Sequence, residues 1–237
     1  MLSMLGHQTE FGAPIGKGWP WGEAVAAGAP HQAPLIMANL VSLWRLLQGF
    51  VISLLLGTVL GLLMWRSEEL DELLGPLFLG LQTLPSVCWV PLAVLVFGLE
   101  ERGVLFVLVM GSFFAIAIAL RDGLRTIPPL YQRAGLMLGA RGWRLYRYVL
   151  LPASLPAMAS SLRQGFSFAW RSLMGAELIF ATRNEGLGRL LQLAREVHGD
   201  IARVLAVMLV MVLIGMAADR LVFAPLQVRV QRRFGLH

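Results

Sequence analysis

Charged residues are scarce in this chain, and cysteine is nearly absent. Only 14% of the 237 residues are Asp, Glu, Lys or Arg, against about 25% in a typical soluble domain, while 57% are hydrophobic. This balance favours an integral membrane protein of one domain. The single cysteine, Cys88, excludes an intramolecular disulfide and a CxxC metal or redox site. Because it lies in an apolar run, we expect Cys88 to be a small buried hydrophobe.

Lysine and histidine are equally scarce, and this excludes several kinds of catalytic site. The only lysine, Lys17, is not part of a GxxxxGK[ST] phosphate-binding loop, so we do not expect the chain to be an ATPase. The four histidines all lie outside the apolar runs, which disfavours an intramembrane enzyme and leaves no predicted catalytic residue or metal ligand. The net charge of +6 comes from arginines beside apolar runs, so it indicates membrane topology and not nucleic-acid binding.

Five apolar runs predict an all-α polytopic helical bundle with about five transmembrane helices. A helix needs about twenty residues to cross the hydrocarbon core. The predicted spans are Gln48–Trp65, after an amphipathic entry at Asn39–Leu47, then Leu77–Phe97, Gly103–Leu120, Leu155–Ala181 and Ile201–Val222. Residues 1–38, rich in Gly and Pro, are expected to be an extracytoplasmic or interfacial segment, and residues 39–237 to be the membrane domain.

The arginines predict the orientation. The stretch Arg121–Arg147 holds six arginines and one aspartate, and the tail after the fifth span holds three more arginines. Positively charged loops stay in the cytoplasm, and an even number of spans separates these two segments. Counting backward through three spans then places the N-terminus outside. The loop after Ala181 also carries three arginines, which weakens this prediction without reversing it.

Small residues and prolines modify two of the spans. Gly57 and Gly61 form a GxxxG pair, which we interpret as a packing contact between helices. Pro85 and Pro91 fall within the second span, where proline removes a backbone donor and kinks a helix. Such a broken helix often lines a cavity, but a merely kinked packing helix accounts for these residues equally well.

The stretch 127–156 predicts two short cytoplasmic helices. Pro128 and Pro129 suit a helix start, and Gly139 suits a helix end that needs a left-handed residue. A second helix is expected at Arg141–Leu150, stopped by Pro152 and Pro156. The pair would form a rigid protruding knob; an ordinary interfacial helix on anionic lipid is the alternative.

Three charged residues lie in the fourth span, where charge is costly and often functional. Arg163 is expected either to extend toward the inner interface or to serve the pathway. Arg171 is deeper and could attract an anion or pair across a dimer. Glu177, near the outer end, could equally be a structural contact between helices. Arg171 and Glu177 are six residues apart, so we do not expect a direct pair.

A resemblance to a known family rests on the spacing within this stretch. Ala134, Gly139, Leu151 and Pro152 match the EAA loop of ABC importer permeases, with Val149 in place of Ile. Other matching segments, in order, resemble the nitrate, sulfonate, taurine and bicarbonate branch: Ser42–Arg45, Gly49–Phe50, Leu84–Ser86, Val90–Leu92, Phe97–Gly98, Asp122–Gly123, Ala169–Leu173, Ala176–Glu177 and Gly186–Gly188. The chain departs from the EAA pattern at Arg133, usually Glu, and at Gly135, usually Ala.

The resemblance implies an inner-membrane permease that pairs with a second copy, couples to two copies of a separate ATPase and receives substrate from a periplasmic or extracellular binding protein. ATP and magnesium would be bound by the ATPase, with no cofactor on this chain. The implied ATPase-coupling residues are Arg133, Ala134, Gly135, Gly139, Arg141, Trp143, Leu151 and Pro152. The candidate pathway residues are Pro85, Ser86, Pro91, Trp170, Arg171 and Glu177.

The resemblance also sets the substrate expectation and two alternatives. It favours a small oxyanion, although related permeases carry organic molecules. Members of the branch usually have six spans, whereas five are predicted here. The missing one is the span that normally precedes an external segment like residues 1–38. We expect either that this span is dispensable or, preferably, that it has been truncated. A non-transporting assembly or regulatory subunit with the permease fold is the alternative function, because Arg133 reverses the charge of the usual glutamate.

Overall fold

The computed structural model describes residues 33–180, 182, 186–196 and 201–233, and every regular element in these ranges is helical. The α-helices are α1 Ala33–Arg66, α2 Glu68–Thr83, α3 Val90–Phe97, α4 Glu101–Arg125, α5 Pro129–Met137, α6 Trp143–Leu145, α7 Leu151–Ile179, α8 Leu187–Glu196, α9 Ile201–Ala218 and α10 Ala224–Arg233. A 3-10 turn spans Ser86–Trp89, and π-helical turns span Tyr146–Leu150 and Asp219–Phe223. The helical bundle predicted from composition is confirmed; nearly all of the N-terminal segment 1–38 lies outside the described residues.

Helix α1 joins the predicted entry helix and the first span into one element of 34 residues. No proline interrupts it after Pro34, and at 1.5 Å per residue it measures about 51 Å, which exceeds the thickness of the hydrocarbon core. The entry helix and the first span together are therefore long enough to cross the membrane. The chain then turns at Ser67, whose side chain caps α2 by accepting a hydrogen bond from the Leu70 N–H at 3.3 Å.

Helix α4 lies at the centre of the fold and packs most extensively against α1 and α7. Its buried side chains include Val104, Val107 and Leu108, each with no exposed surface. On the α1 side, Gly57 and Gly61 face α4 so closely that an added Cβ would lie 2.8 Å from Ile116 Cβ and 2.8 Å from the Ala117 carbonyl oxygen. The packing interpretation of this glycine pair is confirmed.

The predicted second span is two helices that meet at an angle of 102°. Helix α2 ends at Thr83, and Pro85 precedes the 3-10 turn that leads into α3. Pro91 does not kink a helix as predicted, because it lies in the first turn of α3, where a missing N–H costs little. Cys88 is exposed on this turn, so the prediction of a buried cysteine is wrong.

Within the part of the chain that the structure describes, three helical segments are long and apolar enough to cross a membrane, and the bent pair is a fourth if it counts as one span. The three are Leu35–Arg66, Glu101–Arg125 and Val204–Val230, which overlap the first, third and fifth predicted spans. The fourth predicted span corresponds to α7, which has 29 residues but is not among the segments that meet this criterion. The predicted count of five is therefore not confirmed within the described residues.

Candidate functional site

The first helix of the predicted coupling loop begins and ends where its prolines and glycine indicate. Pro128 precedes α5 and Pro129 occupies its first turn. At the other end Gly139 has φ of +80°, and the Ala140 N–H donates to the Gly135 carbonyl at 2.9 Å. This left-handed glycine reverses the chain direction, as the helix-end pattern predicted.

The second helix of the loop continues into the bundle. Helix α6 runs into the π-helical turn Tyr146–Leu150 and from there directly into α7. The prediction that Pro152 and Pro156 stop this helix is wrong, because Pro152 lies in the first turn of α7 and Pro156 lies inside it. A proline ring collides with the carbonyl four residues earlier, and the wider π turn before Pro152 accommodates that collision.

Gly135, one of the two departures from the EAA pattern, has a packing explanation. It is buried between the two loop helices, and an added Cβ would lie 2.6 Å from Leu145 Cδ1 and 3.0 Å from Val149 Cγ2. An alanine here would force the Leu145 side chain to move. The close approach of the helices therefore requires a glycine as long as Leu145 keeps its position.

The outer surface of the loop exposes large apolar side chains next to arginines. Leu130, Met137 and Leu138 are 72%, 89% and 88% exposed, and Tyr148 is 71% exposed. Arg133, Ala134, Gly139 and Arg141 are also exposed, Pro152 is half-buried, and the side chains of Trp143 and Leu151 lie outside the described residues. Large apolar side chains exposed on a loop that extends from the bundle indicate an interaction surface.

The root of the loop is tied to the bundle by an ion-pair cluster. Asp71 on α2 accepts from Arg121 at 2.9 Å and from Arg125 at 2.7 Å, and Arg121 also pairs with Asp122. Asp71 is buried although it lies in the acidic segment that follows the first span. This cluster fixes the end of α4, from which the coupling loop departs, to the start of α2.

A second ion-pair cluster lies at the opposite end of the bundle, around Glu177. The carboxylate of Glu177 is fully buried and accepts from Arg45 Nη1 at 2.9 Å, from the Ser42 hydroxyl at 2.7 Å and from the Gly188 N–H at 3.1 Å. Arg45 also forms a two-point contact with Glu101, through Nε at 2.6 Å and Nη2 at 2.5 Å. Helices α1, α4, α7 and α8 thus meet at one buried charge cluster.

The segment Gly186–Gly188 closes over Glu177, and its glycines are required by that contact. A Cβ on Gly186 would lie 2.3 Å from Glu177 Oε1, and one on Gly188 would lie 2.9 Å from the Glu177 backbone carbonyl carbon. The Leu187 N–H donates to Ser42 Oγ at 2.9 Å. These contacts agree with the alternative that Glu177 is a structural link between helices, and its place on the pathway stays a prediction.

Sequence reasoning missed the partners of Glu177. Ser42 and Arg45 lie on the entry helix and in a segment that resembles the family, but neither pattern pairs them with Glu177. An arginine on the entry helix and a carboxylate in the fourth span, both at the same predicted end of the bundle, were the available signal. The third donor, the Gly188 N–H, could not have been identified from residue type.

Arg163 is paired at the loop end of the bundle. It contacts Asp219 through Nε at 2.7 Å and Nη2 at 2.8 Å, and Nη1 donates to Gln227 Oε1 at 2.9 Å. Its side chain is 41% exposed. The contact joins α7 to the turn before α10, so Arg163 is neither a lone snorkelling side chain nor a free pathway charge.

The remaining pathway candidates surround the middle of α7. Arg171 is exposed and lies 4.6 Å from the ring centre of Phe168. Pro85 and Pro91 are exposed at the bent pair, and Ser86 lies where the 3-10 turn approaches Gly111 and Gly175. Trp170 packs against α9 near Gly215, within the apolar core. Ser86 thus approaches α7 at Gly175, one turn beyond Arg171, while Trp170 faces another helix.

Comparisons with known proteins point to one family. The sequence model described as "binding-protein-dependent transport system inner membrane component" matches residues 53–225. A putative ABC transporter permease of Methanocaldococcus jannaschii is 34% identical over 187 residues, 78% of this chain and 69% of that protein. The taurine transport system permease of Escherichia coli is 31% identical over 155 residues, 65% of this chain and 56% of that protein.

A bicarbonate transport system permease of Synechococcus elongatus is 29% identical over 147 residues, 62% of this chain and 53% of that protein. Among solved structures, the inward-facing MetNI methionine ABC transporter superposes with a TM-score of 0.63 at 17% identity, covering 84% of this chain and 95% of that chain. At this identity the superposition shows a shared fold only. The relatives' names agree with the branch that the motifs indicate.

Proposed function

Because the chain belongs to the family of binding-protein-dependent transport system inner membrane components, the multi-pass permeases of ABC transporters, we propose that it forms the pathway of an importer for a small anion. A separate ATPase supplies the energy. The loop Arg133–Pro152 transmits the motion of that ATPase to the bundle.

The observation that carries this proposal is the geometry of the coupling loop. Two helices meet at the left-handed Gly139, pack through Gly135 and expose Leu130, Met137 and Leu138 beyond the bundle. Such a rigid apolar knob suits insertion into a groove of a partner protein. Because its second helix runs unbroken into α7, a push on the knob moves a whole bundle helix.

The positive charge at this surface indicates which charge the groove of the ATPase carries. Arg133 and Arg141 are exposed beside the apolar tip, and Arg133 stands where EAA loops usually carry glutamate. A basic rim fits a groove whose edge is acidic, and like charges there would be repelled. We therefore expect the cognate ATPase to carry carboxylates opposite Arg133.

The substrate proposal rests on the relatives and on an exposed arginine. Two of the three named relatives are described as permeases for bicarbonate and for taurine, compounds that carry an anionic oxygen group. Arg171 is exposed on α7 and offers the guanidinium that binds such groups. The proposed assembly has two copies of this chain in the inner membrane, two ATPase subunits and an external binding protein that delivers the substrate.

Co-purification with the genomically adjacent ATPase tests the docking site. Gly139→Pro should abolish it, because proline cannot adopt φ of +80° and the Gly139 N–H donates to the Leu136 carbonyl at 3.0 Å. We expect wild type to retain the ATPase in detergent and the variant to lose it.

Gly98→Pro is the matched control. Gly98 also has a positive φ, of +70°, and its N–H donates to the Val94 carbonyl at 2.9 Å. An added Cβ would meet nothing within 4 Å, and the residue lies at the other end of the bundle. It should keep the ATPase. Loss in both variants would mean general unfolding, and retention in both would reject the loop as the docking site. If wild type binds no ATPase, a non-transporting subunit with the permease fold becomes the better proposal. An assay of ATP-stimulated uptake then distinguishes that subunit from a working permease.

A further inference from the structure

One face of α7 carries a line of exposed polar side chains. Ser160, Gln164, Ser167 and Arg171 are spaced four, three and four residues apart, which places them on a single stripe of a helix, and all four are exposed. Gly175 continues the stripe by one more turn. The opposite side of the helix is apolar and buried, with Phe166, Ala169, Leu173 and Ala176 in the core.

The stripe lies within the part of α7 that the sequence predicts as the fourth span. Gln164, Ser167 and Arg171 fall between the ion-paired Arg163 and the ion-paired Glu177, and Ser160 lies three residues before Arg163. Arg171 is about 12 Å along the helix from Arg163 and about 9 Å from Glu177, at 1.5 Å per residue. Lipid tails cannot solvate an arginine at that depth, so this face must meet water or another protein.

Arg171 differs from four other arginines that lie on bundle helices. Arg45, Arg121, Arg125 and Arg163 each form an ion pair with a carboxylate of the chain. Among the described residues no carboxylate lies within ion-pair distance of Arg171. Its Nε donates to the Ser167 carbonyl at 3.2 Å, and its guanidinium carbon lies over the Phe168 ring.

These contacts hold the guanidinium on the stripe, where the Arg171 side chain is exposed. A guanidinium in this arrangement presents a planar fork that matches two oxygens of an oxyanion. The bend between α2 and α3 approaches α7 one turn beyond Arg171, since a Cβ on Gly175 would be 3.9 Å from Ser86 Oγ. The hydroxyl and amide groups of Ser160, Gln164 and Ser167 add neutral hydrogen-bonding partners on the side of Arg171 toward the coupling loop.

We propose that the stripe Ser160–Gln164–Ser167–Arg171 is the wall of a water-filled path, and that Arg171 is the cation that holds a small oxyanion partway across the membrane. This assignment rests on the proposed transport function and specifies where in the chain the substrate's negative charge is recognised. In a pair of chains the path lies between the two copies of α7.

Cysteine accessibility tests the water-filled wall without knowledge of the substrate. In a Cys88→Ala background, Gln164→Cys and Ser167→Cys are exposed to small water-soluble methanethiosulfonates, in the complex with the ATPase reconstituted in lipid vesicles. Leu55→Cys and Leu209→Cys are the controls, because these leucines are 63% and 59% exposed on apolar faces of α1 and α9. We expect the two stripe thiols to react and the two control thiols to remain unmodified.

The charge of the reagent tests the role of Arg171. The measured quantity is the rate at which Ser167→Cys, one turn from Arg171, reacts with a negatively charged methanethiosulfonate, divided by its rate with a positively charged one of the same size. We expect this ratio to favour the negative reagent. Replacing Arg171 by Gln should lower the ratio of the two reaction rates by about five- to tenfold. The reason is that one positive charge about one helical turn away attracts the negative reagent and repels the positive one, even in a site that contains water. Arg171→Lys should preserve most of the preference.

Two results would overturn the assignment. Unreactive stripe thiols would mean that this face packs against protein, and an unchanged reagent ratio in Arg171→Gln would mean that Arg171 does not set the charge of the path. Neither result touches the docking test, since ATPase co-purification with wild type and its loss in Gly139→Pro are measured separately. A failed docking test with reactive stripe thiols would instead reject the coupling assignment alone.

Discussion

The ion pair between Arg45 and Glu177 shows how single residues hold this bundle together. Both side chains are almost completely buried, with 4% and 0% exposure, so each charge depends on the other for solvation. Breaking a buried pair by removing one partner costs about 3–5 kcal/mol, because an uncompensated charge stays in a medium of low dielectric constant. Glu101 differs from Glu177 because it is 42% exposed and can be hydrated.

We therefore expect strong coupling between Arg45 and Glu177. The substitutions Arg45→Gln and Glu177→Gln should each destabilise the purified protein by about 3–5 kcal/mol, and the double variant by clearly less than the sum of the two. Unfolding of the four proteins in detergent measures this cycle. Additive effects would show that the two charges are solvated independently. Arg195→Gln is the control, because Arg195 pairs with Glu196 at 3.5 Å on an exposed surface.

At the scale of elements, the crossing of α1 and α4 depends on the absence of side chains at two positions. A Cβ at Gly61 would meet the Ala117 carbonyl oxygen at 2.8 Å, and backbone atoms cannot move aside as a flexible side chain can. Small residues let helices in a membrane approach until their backbones touch, which strengthens dispersion contacts. The GxxxG pattern alone could not identify which helix it meets.

A bulky residue at this crossing should separate the two helices. Gly61→Leu is expected to destabilise the bundle by about 1–3 kcal/mol or more, as overpacking does in cores, with a lower thermal transition in detergent. Gly80→Leu provides the matched control, since Gly80 is also helical but has nothing within 4 Å of an added Cβ. Equal effects of the two substitutions would mean that helix propensity, and not the crossing, limits stability.

At the scale of the whole molecule, the contacts divide the helix ends into two sets. Asp71, Arg121 and Arg125 meet at the end from which the coupling loop departs, and Arg163 pairs with Asp219 there too. Arg45, Glu101 and Glu177 meet at the opposite end. The arginine distribution predicts that successive loops lie on opposite sides of the membrane, with the coupling loop in the cytoplasm. The two sets of contacts agree with this arrangement.

Labelling in intact cells tests this orientation. In a Cys88→Ala background, Leu99→Cys lies between α3 and α4, and Leu138→Cys lies on the coupling loop; these leucines are 53% and 88% exposed. A membrane-impermeant maleimide should modify only Leu99→Cys in intact cells and both variants after permeabilisation. Modification of Leu138→Cys in intact cells would invert the topology.

The sequence by itself determined the class of the protein and the outline of the coupling loop. Scarce charge and long apolar runs require a helical membrane protein, because only internal hydrogen bonding satisfies a backbone in lipid. Pro128, Pro129 and Gly139 set the ends of α5, because proline's missing donor and glycine's positive φ act locally. The spacing of the EAA-like loop was sufficient to indicate the family.

Only the tertiary structure decided which charges pair and which remain open. Arg45, Arg163 and Arg171 are alike as residues on apolar helices, yet two are neutralised by carboxylates 56 or more positions away and the third is not. The angle between α2 and α3 and the fusion of the loop's second helix with α7 were equally hidden. Periodicity reports one helix at a time, whereas the solvation of a buried charge depends on which distant helices surround it.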